Sequence, residues 1–145
     1  MEDTVRPLSK MSDSDISQAM RLQGEVFHRE QLFLDVVIQS FALCEGVMAY
    51  GIFRGDIMVG YCQYRQLPSR ALILERVCVN IYVRNQGVGL HLIERSIEDV
   101  QDKGWRRIEL KSQIQCVGFY AKIGFIRDRD EMYLGRPHVS MYKDL

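Results

Sequence analysis

The sequence predicts a mixed α/β fold. Two observations carry that prediction: apolar residues recur with a helical period in some segments and with a period of two in others, and the segments follow one another in an informative order. Helical patterns come first, then three strand patterns, then helix, strand, helix and two closing strands. The first half is therefore built from hairpins, and the second contains a crossover. At 145 residues the chain has the length of one domain around one core, so residues 1–145 are read as a single domain.

Residues 5–8 form a short opening strand. SDSDISQAMRLQGEVF places Ser and Asp where an N-cap belongs and Ile16, Met20, Leu22 and Val26 at mostly helical spacing, which predicts a first helix. QLFLDVVIQSFAL, residues 31–43, is apolar enough for a second, buried helix despite its β-branched residues. GVMAYGIFRG and DIMVGYCQYRQLP then read as two strands joined by a tight turn at Arg54, Gly55 and Asp56. ALILERVCVN is the next strand, apolar except at Glu75 and Arg76. From residue 87 to 103, Leu90, Ile93, Ile97 and Val100 line one stripe of a helix that Gly104 ends. RRIELK is a strand, CVGFYAKIGF a short helix ended by Gly124, and residues 125–134 and 138–142 are the last two strands.

Lys plus Arg equals Asp plus Glu at 19 each, so the overall positive field of a nucleic-acid-binding protein is missing and no nucleic-acid partner is expected. Cys44, Cys62, Cys78 and Cys116 are scattered without a CxxC pair, which fits a reducing cytoplasm. MEDTVRPLSK has neither a basic nor an apolar leader segment, and no apolar run approaches the roughly 20 residues that span a bilayer. A soluble cytoplasmic chain without membrane contact is expected. No cluster has metal-ligand spacing, so no metal is expected.

The informative stretch is VRNQGVG, residues 83–89, between a strand and a helix. A glycine turn that opens a helix presents free N–H groups and the positive end of a helix dipole, a combination suited to phosphate. Gly87 and Gly89 let the backbone approach a ligand closely, and Arg84 can add a charge-assisted bond. A P-loop would need GxxxxGK, which is absent, and a dinucleotide fingerprint would need a third glycine where Leu92 stands. A third spacing is satisfied by Arg84-Asn85-Gln86-Gly87-Val88-Gly89: Arg or Gln, two residues, Gly, one residue, then Gly or Ala, the spacing of an acetyl-CoA loop. Plain turn chemistry is the alternative for an isolated GxG.

With LERVCV, RNQGVG and FYAKIGF together, the chain resembles the GCN5-related N-acetyltransferases (GNAT), and within them the ElaA/YjcF-like subgroup. EVFHREQ is similar to that subgroup's VFxxEQ entry segment, SQxxxxxFYxKxGF to its second signature and GRPHVSM to its GIPHxxM tail. The resemblance implies a GNAT fold: a mixed central sheet of about six to seven strands with helices on both faces and a splay between the fourth and fifth strands. It implies an enzyme that uses acetyl-CoA as co-substrate and acetylates a primary amine, with a small-molecule acceptor expected. The alternative is a coenzyme-binding module that senses acyl-CoA or serves a partner with little turnover. Two-chain assemblies are common in the superfamily, so a homodimer is a further expectation.

The resemblance also assigns roles. Val77, Cys78 and Val79 would offer backbone groups to the pantetheine arm, with the Val79 N–H polarising the thioester carbonyl. Main-chain groups of Arg84, Asn85, Gln86, Gly87, Val88 and Gly89 would hold the pyrophosphate. Tyr120 occupies the tyrosine position and would protonate the departing thiolate. For the base, Glu75 is a candidate, expected on the same side-chain parity as Val77 and Val79, with a structural ion pair as the competing reading. His138 is the other titratable candidate and a candidate acceptor contact, against a structural role. Glu30 and Gln31 would contact the acceptor. Cys78 is not read as a nucleophile, because alternation turns it away from Val77 and Val79 and no His neighbours it. Departures from the common pattern include Ile81-Tyr82-Val83 before the loop arginine, Gln113 at a usual asparagine and Tyr133 at a position often acidic.

Overall fold

The computed structural model describes residues 2–30 and 46–145. Seven strands form one sheet: β1 (Asp3–Pro7), β2 (Val47–Arg54), β3 (Ile57–Gln66), β4 (Leu72–Val79), β5 (Arg107–Gln113), β6 (Ile126–Tyr133) and β7 (Arg136–Asp144). Their order is β1-β2-β3-β4-β5-β7-β6. The helices are α1 (Asp13–Gln23), α2 (Val88–Asp102) and α3 (Val117–Lys122). The predicted helix over residues 31–43 lies outside the described residues.

Local chemistry accounts for the boundaries. Ser12 starts α1 with a capping box, its Oγ accepting from the Asp15 N–H while its own N–H donates to Asp15 Oδ2, each at 3.1 Å. Beyond Gln23 the chain does not continue as an α-helix to residue 27; it widens into π-helical turns over Gly24–Glu30. Leu134 and Gly135, both at positive φ, make the two-residue turn between β6 and β7.

The sheet carries apolar side chains on both faces. One set, Tyr50, Ile52, Tyr64, Leu72, Leu74, Ile108, Leu110 and Met141, packs under Leu92 and Ile93 of α2. The other, Ala49, Phe53, Tyr61 and Cys78, packs under Ala19 and Leu22 of α1 and Val26 just beyond it. All neighbours in the sheet run antiparallel except β4 and β5, which are joined by the crossover through α2.

That parallel pair is short. Only Leu72, Ile73 and Leu74 meet Ile108, Glu109 and Leu110, although β4 continues to Val79 and β5 to Gln113. The two strands therefore part company after Leu74, as the splay requires.

Candidate functional site

The splay is accompanied by an irregularity in β4. Tyr61 pairs with Cys78 but Gln63 with Glu75, so the single intervening residue of β3 opposes two residues of β4. Arg76 absorbs the extra residue in a left-handed conformation at φ 56. A bulge resets the alternation of side chains. Val77 and Val79 pack on the α2 side and Cys78 on the α1 side, as expected, but Glu75 reaches Gln63 on the α1 side. The expected common parity of Glu75 with Val77 and Val79 is thus corrected: the bulge puts the carboxylate on the opposite face.

On that face Glu75 is held from two directions. Gln63 Nε2 donates to Oε1 at 3.2 Å, and the Arg65 guanidinium donates to both oxygens, at 3.1 and 3.3 Å. Gln63 in turn accepts from the Tyr61 hydroxyl at 2.7 Å. The ion-pair reading of Glu75 therefore describes its contacts, while its side chain stays 20% exposed. Gln63 and Arg65 were not singled out in the sequence. The available signal was Gln63 itself, a polar side chain at an interior position of an otherwise apolar strand.

At the end of β4 the backbone directions can be assigned. The Asn80 N–H donates to the Val59 carbonyl at 2.8 Å, so Asn80 faces β3 and Val79 faces the other edge, where β5 has moved away. The Val79 carbonyl accepts from Arg84 Nε at 3.1 Å and Nη2 at 2.9 Å. The Arg84 side chain thus ties the loop to the strand end.

The loop itself is open. Asn85 and Gly87 adopt left-handed conformations at φ 61 and 77, and α2 begins directly after Gly87. His91 donates back to the Gly87 carbonyl at 3.0 Å, and the amides of residues 85–90 donate to no other main-chain group among the described residues. A Cβ on Gly87 would meet nothing within 4 Å, whereas one on Gly89 would lie 3.4 Å from both Phe119 Cζ and Val79 Cγ2. The two glycines differ in purpose: Gly87 permits the turn, and Gly89 lets the first turn of α2 sit against α3 and β4. Gln86 accepts from Arg54 Nη1 at 3.4 Å, and Val88 is buried.

Tyr120 lies in α3 on the α2 side, its ring edge-on to Phe119 at 5.1 Å and to Phe125 at 5.9 Å. Burial raises its pKa, with Cys116 and then Cys62 adding to the effect. Its hydroxyl has no protein partner among the described residues and is not sealed from solvent. Burial likewise raises the Cys78 thiol, which keeps it protonated and inert as a nucleophile.

His138 is 4% exposed on β7, two strands beyond β4, with Nδ1 2.9 Å from the Arg136 carbonyl and the Tyr133 ring edge-on at 5.3 Å. Strand alternation puts it on the same face as Glu75, since Val139 and Met141 pack on the other. Glu30 ends the π-helical segment, and Gln31 lies outside the described residues, so neither side chain is placed. Among the described residues, no three His, Cys, Asp or Glu side chains are grouped to hold a metal ion, and no helix is long and apolar enough to cross a membrane.

Residues 9–145 match the family model described as an acetyltransferase (GNAT) domain. The chain is 28% identical over 137 residues to the uncharacterized protein YyaT of Bacillus subtilis, covering 92% of each chain. It is 30% identical over 95 residues to the uncharacterized N-acetyltransferase YjcF of the same organism, covering 64% of this chain and 67% of that one. The crystal structure of Escherichia coli ElaA superposes with a TM-score of 0.82 at 22% identity, over 98% of this chain and 99% of the other. These matches agree with the subgroup suggested by the sequence motifs. The family model spans nearly the whole chain, and the chain belongs to the GNAT acetyltransferase family.

Proposed function

We propose that the protein transfers the acetyl group of acetyl-CoA directly to a primary amine of a small molecule. The observation that carries this reading is the set of amides at residues 85–90 that donate to no main-chain group among the described residues, set beside a β4 edge that β5 has left. Those amides and the dipole of α2 suit a pyrophosphate. Val77 and Val79 flank the opening on the side of α2 and α3, where the pantetheine arm would extend along the strand, with Cys78 contributing main chain alone.

The Val79 N–H faces the opening and would stabilise charge on the thioester oxygen as the amine adds. Tyr120, on the α2 side, would give its proton to the leaving thiolate. Glu75 is on the opposite side, so an amine arriving there would lose its proton to Glu75 through water while the coenzyme stays on the other face. No covalent enzyme intermediate is required, because a free amine attacks a thioester unaided. His138, Glu30 and Gln31 remain candidate contacts for the acceptor.

A panel of polyamines, amino acids, aminosugars and peptides, incubated with acetyl-CoA and assayed for thiol release, tests the reading. Amine-dependent release supports it. Tight acetyl-CoA binding without release from any amine would favour the second reading, a sensor or partner module. The clamp of Arg65 and Gln63 on Glu75 is the observation in favour of that alternative, since both carboxylate oxygens already serve a structural ion pair.

A further inference from the structure

We propose that Gln23 recognises a carbonyl or carboxylate oxygen close to the acceptor's amine, which makes the acceptor an α-amino acid or its amide rather than a plain alkylamine. The inference rests on the acetyl-transfer reading above and names the substrate class for that same site.

Gln23 is the last residue of α1 and is 1% exposed. Its Oε1 accepts from Arg76 Nη1 at 3.1 Å. Its Nε2 is the one buried side-chain nitrogen or oxygen without a hydrogen-bond partner among the described residues. Other buried polar side chains are answered: Gln63 by Tyr61 and Glu75, Ser96 by Tyr64, Ser112 by the Gln113 carbonyl. The amide cannot be turned over to relieve the problem, because its NH2 group would then oppose a guanidinium, donor against donor. A desolvated donor left unmade is costly, and a ligand oxygen would complete it.

Its position makes that ligand the acceptor. Arg76 is the bulge residue of β4, between Glu75 and Val77, at the point where the strand has separated from β5. Arg76 reaches Gln23 of α1, Tyr61 and Cys78 pack under α1, and Glu75 bonds to Gln63 on the same face, so these groups share the α1 side of the sheet. There a carboxylate suits an ammonium group, while the Gln23 N–H2 suits an oxygen. An amine with an oxygen a few bonds away satisfies both. The change from α-helix to π-helix directly after Gln23 is the kind of irregularity that accompanies binding sites.

Matched probes decide the matter. Lysine, lysinamide and cadaverine, and phenylalanine, its amide and phenethylamine, would be titrated calorimetrically into the full chain saturated with coenzyme A. At least one amino acid or amide should bind about tenfold more tightly than its decarboxylated partner. Gln23→Leu, and the similarly shaped Gln23→Glu that lacks the donor, should each remove most of that ratio. Coenzyme affinity should hold in both, and Gln23→Glu keeps an oxygen for Arg76 while removing the donor, so its loss of preference reports on the N–H2 group alone. A preference for the free acid over the amide would point to a carboxylate, and equal binding of the two to a neutral carbonyl. Equal binding of amino acid and alkylamine in both sets, no binding by any oxygen-bearing probe, or a ratio unchanged in both variants would overturn the inference. Failure to bind coenzyme A would instead overturn the proposed function, and titrations without coenzyme would still decide the role of Gln23.

Discussion

At Tyr120, burial keeps the phenol protonated beyond its ordinary value of 10.0, and the protonated form is the one a departing thiolate needs. Tyr120→Phe should lower kcat by about 10²-fold while leaving acetyl-CoA affinity within about twofold, as steady-state rates and calorimetry would measure. Because the shift is upward, the hydroxyl loses its proton only above pH 10. Any fall in rate at lower pH belongs to another group and should persist in the Phe variant's residual activity. Glu75→Gln should slow acetylation while leaving acetyl-CoA affinity in place; an unchanged rate would acquit the carboxylate. Both residues were legible in the sequence as chemistry-bearing types at suggestive positions. Their surroundings were not, because the groups that hold Glu75 come from β3, about ten residues earlier in the chain, and are brought to it by strand register.

Among the elements, β4 and the loop into α2 position the chemistry. Gly87 is left-handed at φ 77, where a side chain costs about 1–2 kcal/mol. Gly87→Val should therefore weaken acetyl-CoA binding by about tenfold through distortion of the turn, with little change in the thermal midpoint. Gly89→Leu should act differently, displacing Phe119 and Val79, so that kcat falls together with affinity. Calorimetric Kd values set beside kcat would separate the two. Helix starts and strand alternation could be read from sequence because capping and periodicity are local. The bulge at Arg76 could not, since it exists only through pairing with β3: two residues of one strand must oppose one of the other. The same holds for the end of α1, where apolar spacing runs on smoothly into residues that the structure winds as a π-helix.

For the molecule as a whole, the sheet is held to α2 by polar bonds as well as by apolar contact. The Tyr50 hydroxyl donates to Asp99, which Lys103 also reaches at 3.0 Å. Partial burial pushes the Asp99 carboxyl up, but the bonds from Tyr50 and Lys103 outweigh it and leave its pKa below 3.8. A depressed native pKa contributes stability above the usual carboxylate range and loses it as pH falls through the native value. Asp99→Asn should thus flatten the acid side of a plot of urea midpoint against pH. Gly60→Ala should destabilise by about 1–3 kcal/mol, since the new methyl would lie 2.8 Å from Ile52 Cγ2 in the sheet's α2-side core, and urea unfolding would measure the loss. The sequence by itself determined the mixed α/β class, the strands and helices around the site, and the loop at residues 84–89, because spacing and local backbone chemistry are written along the chain. Only the tertiary structure decided that Glu75 lies across the sheet from Val77 and Val79, that Gly89 serves packing and that the Gln23 nitrogen has no partner among the described residues. Those facts depend on register, a bulge and contacts between distant segments, which no local period encodes.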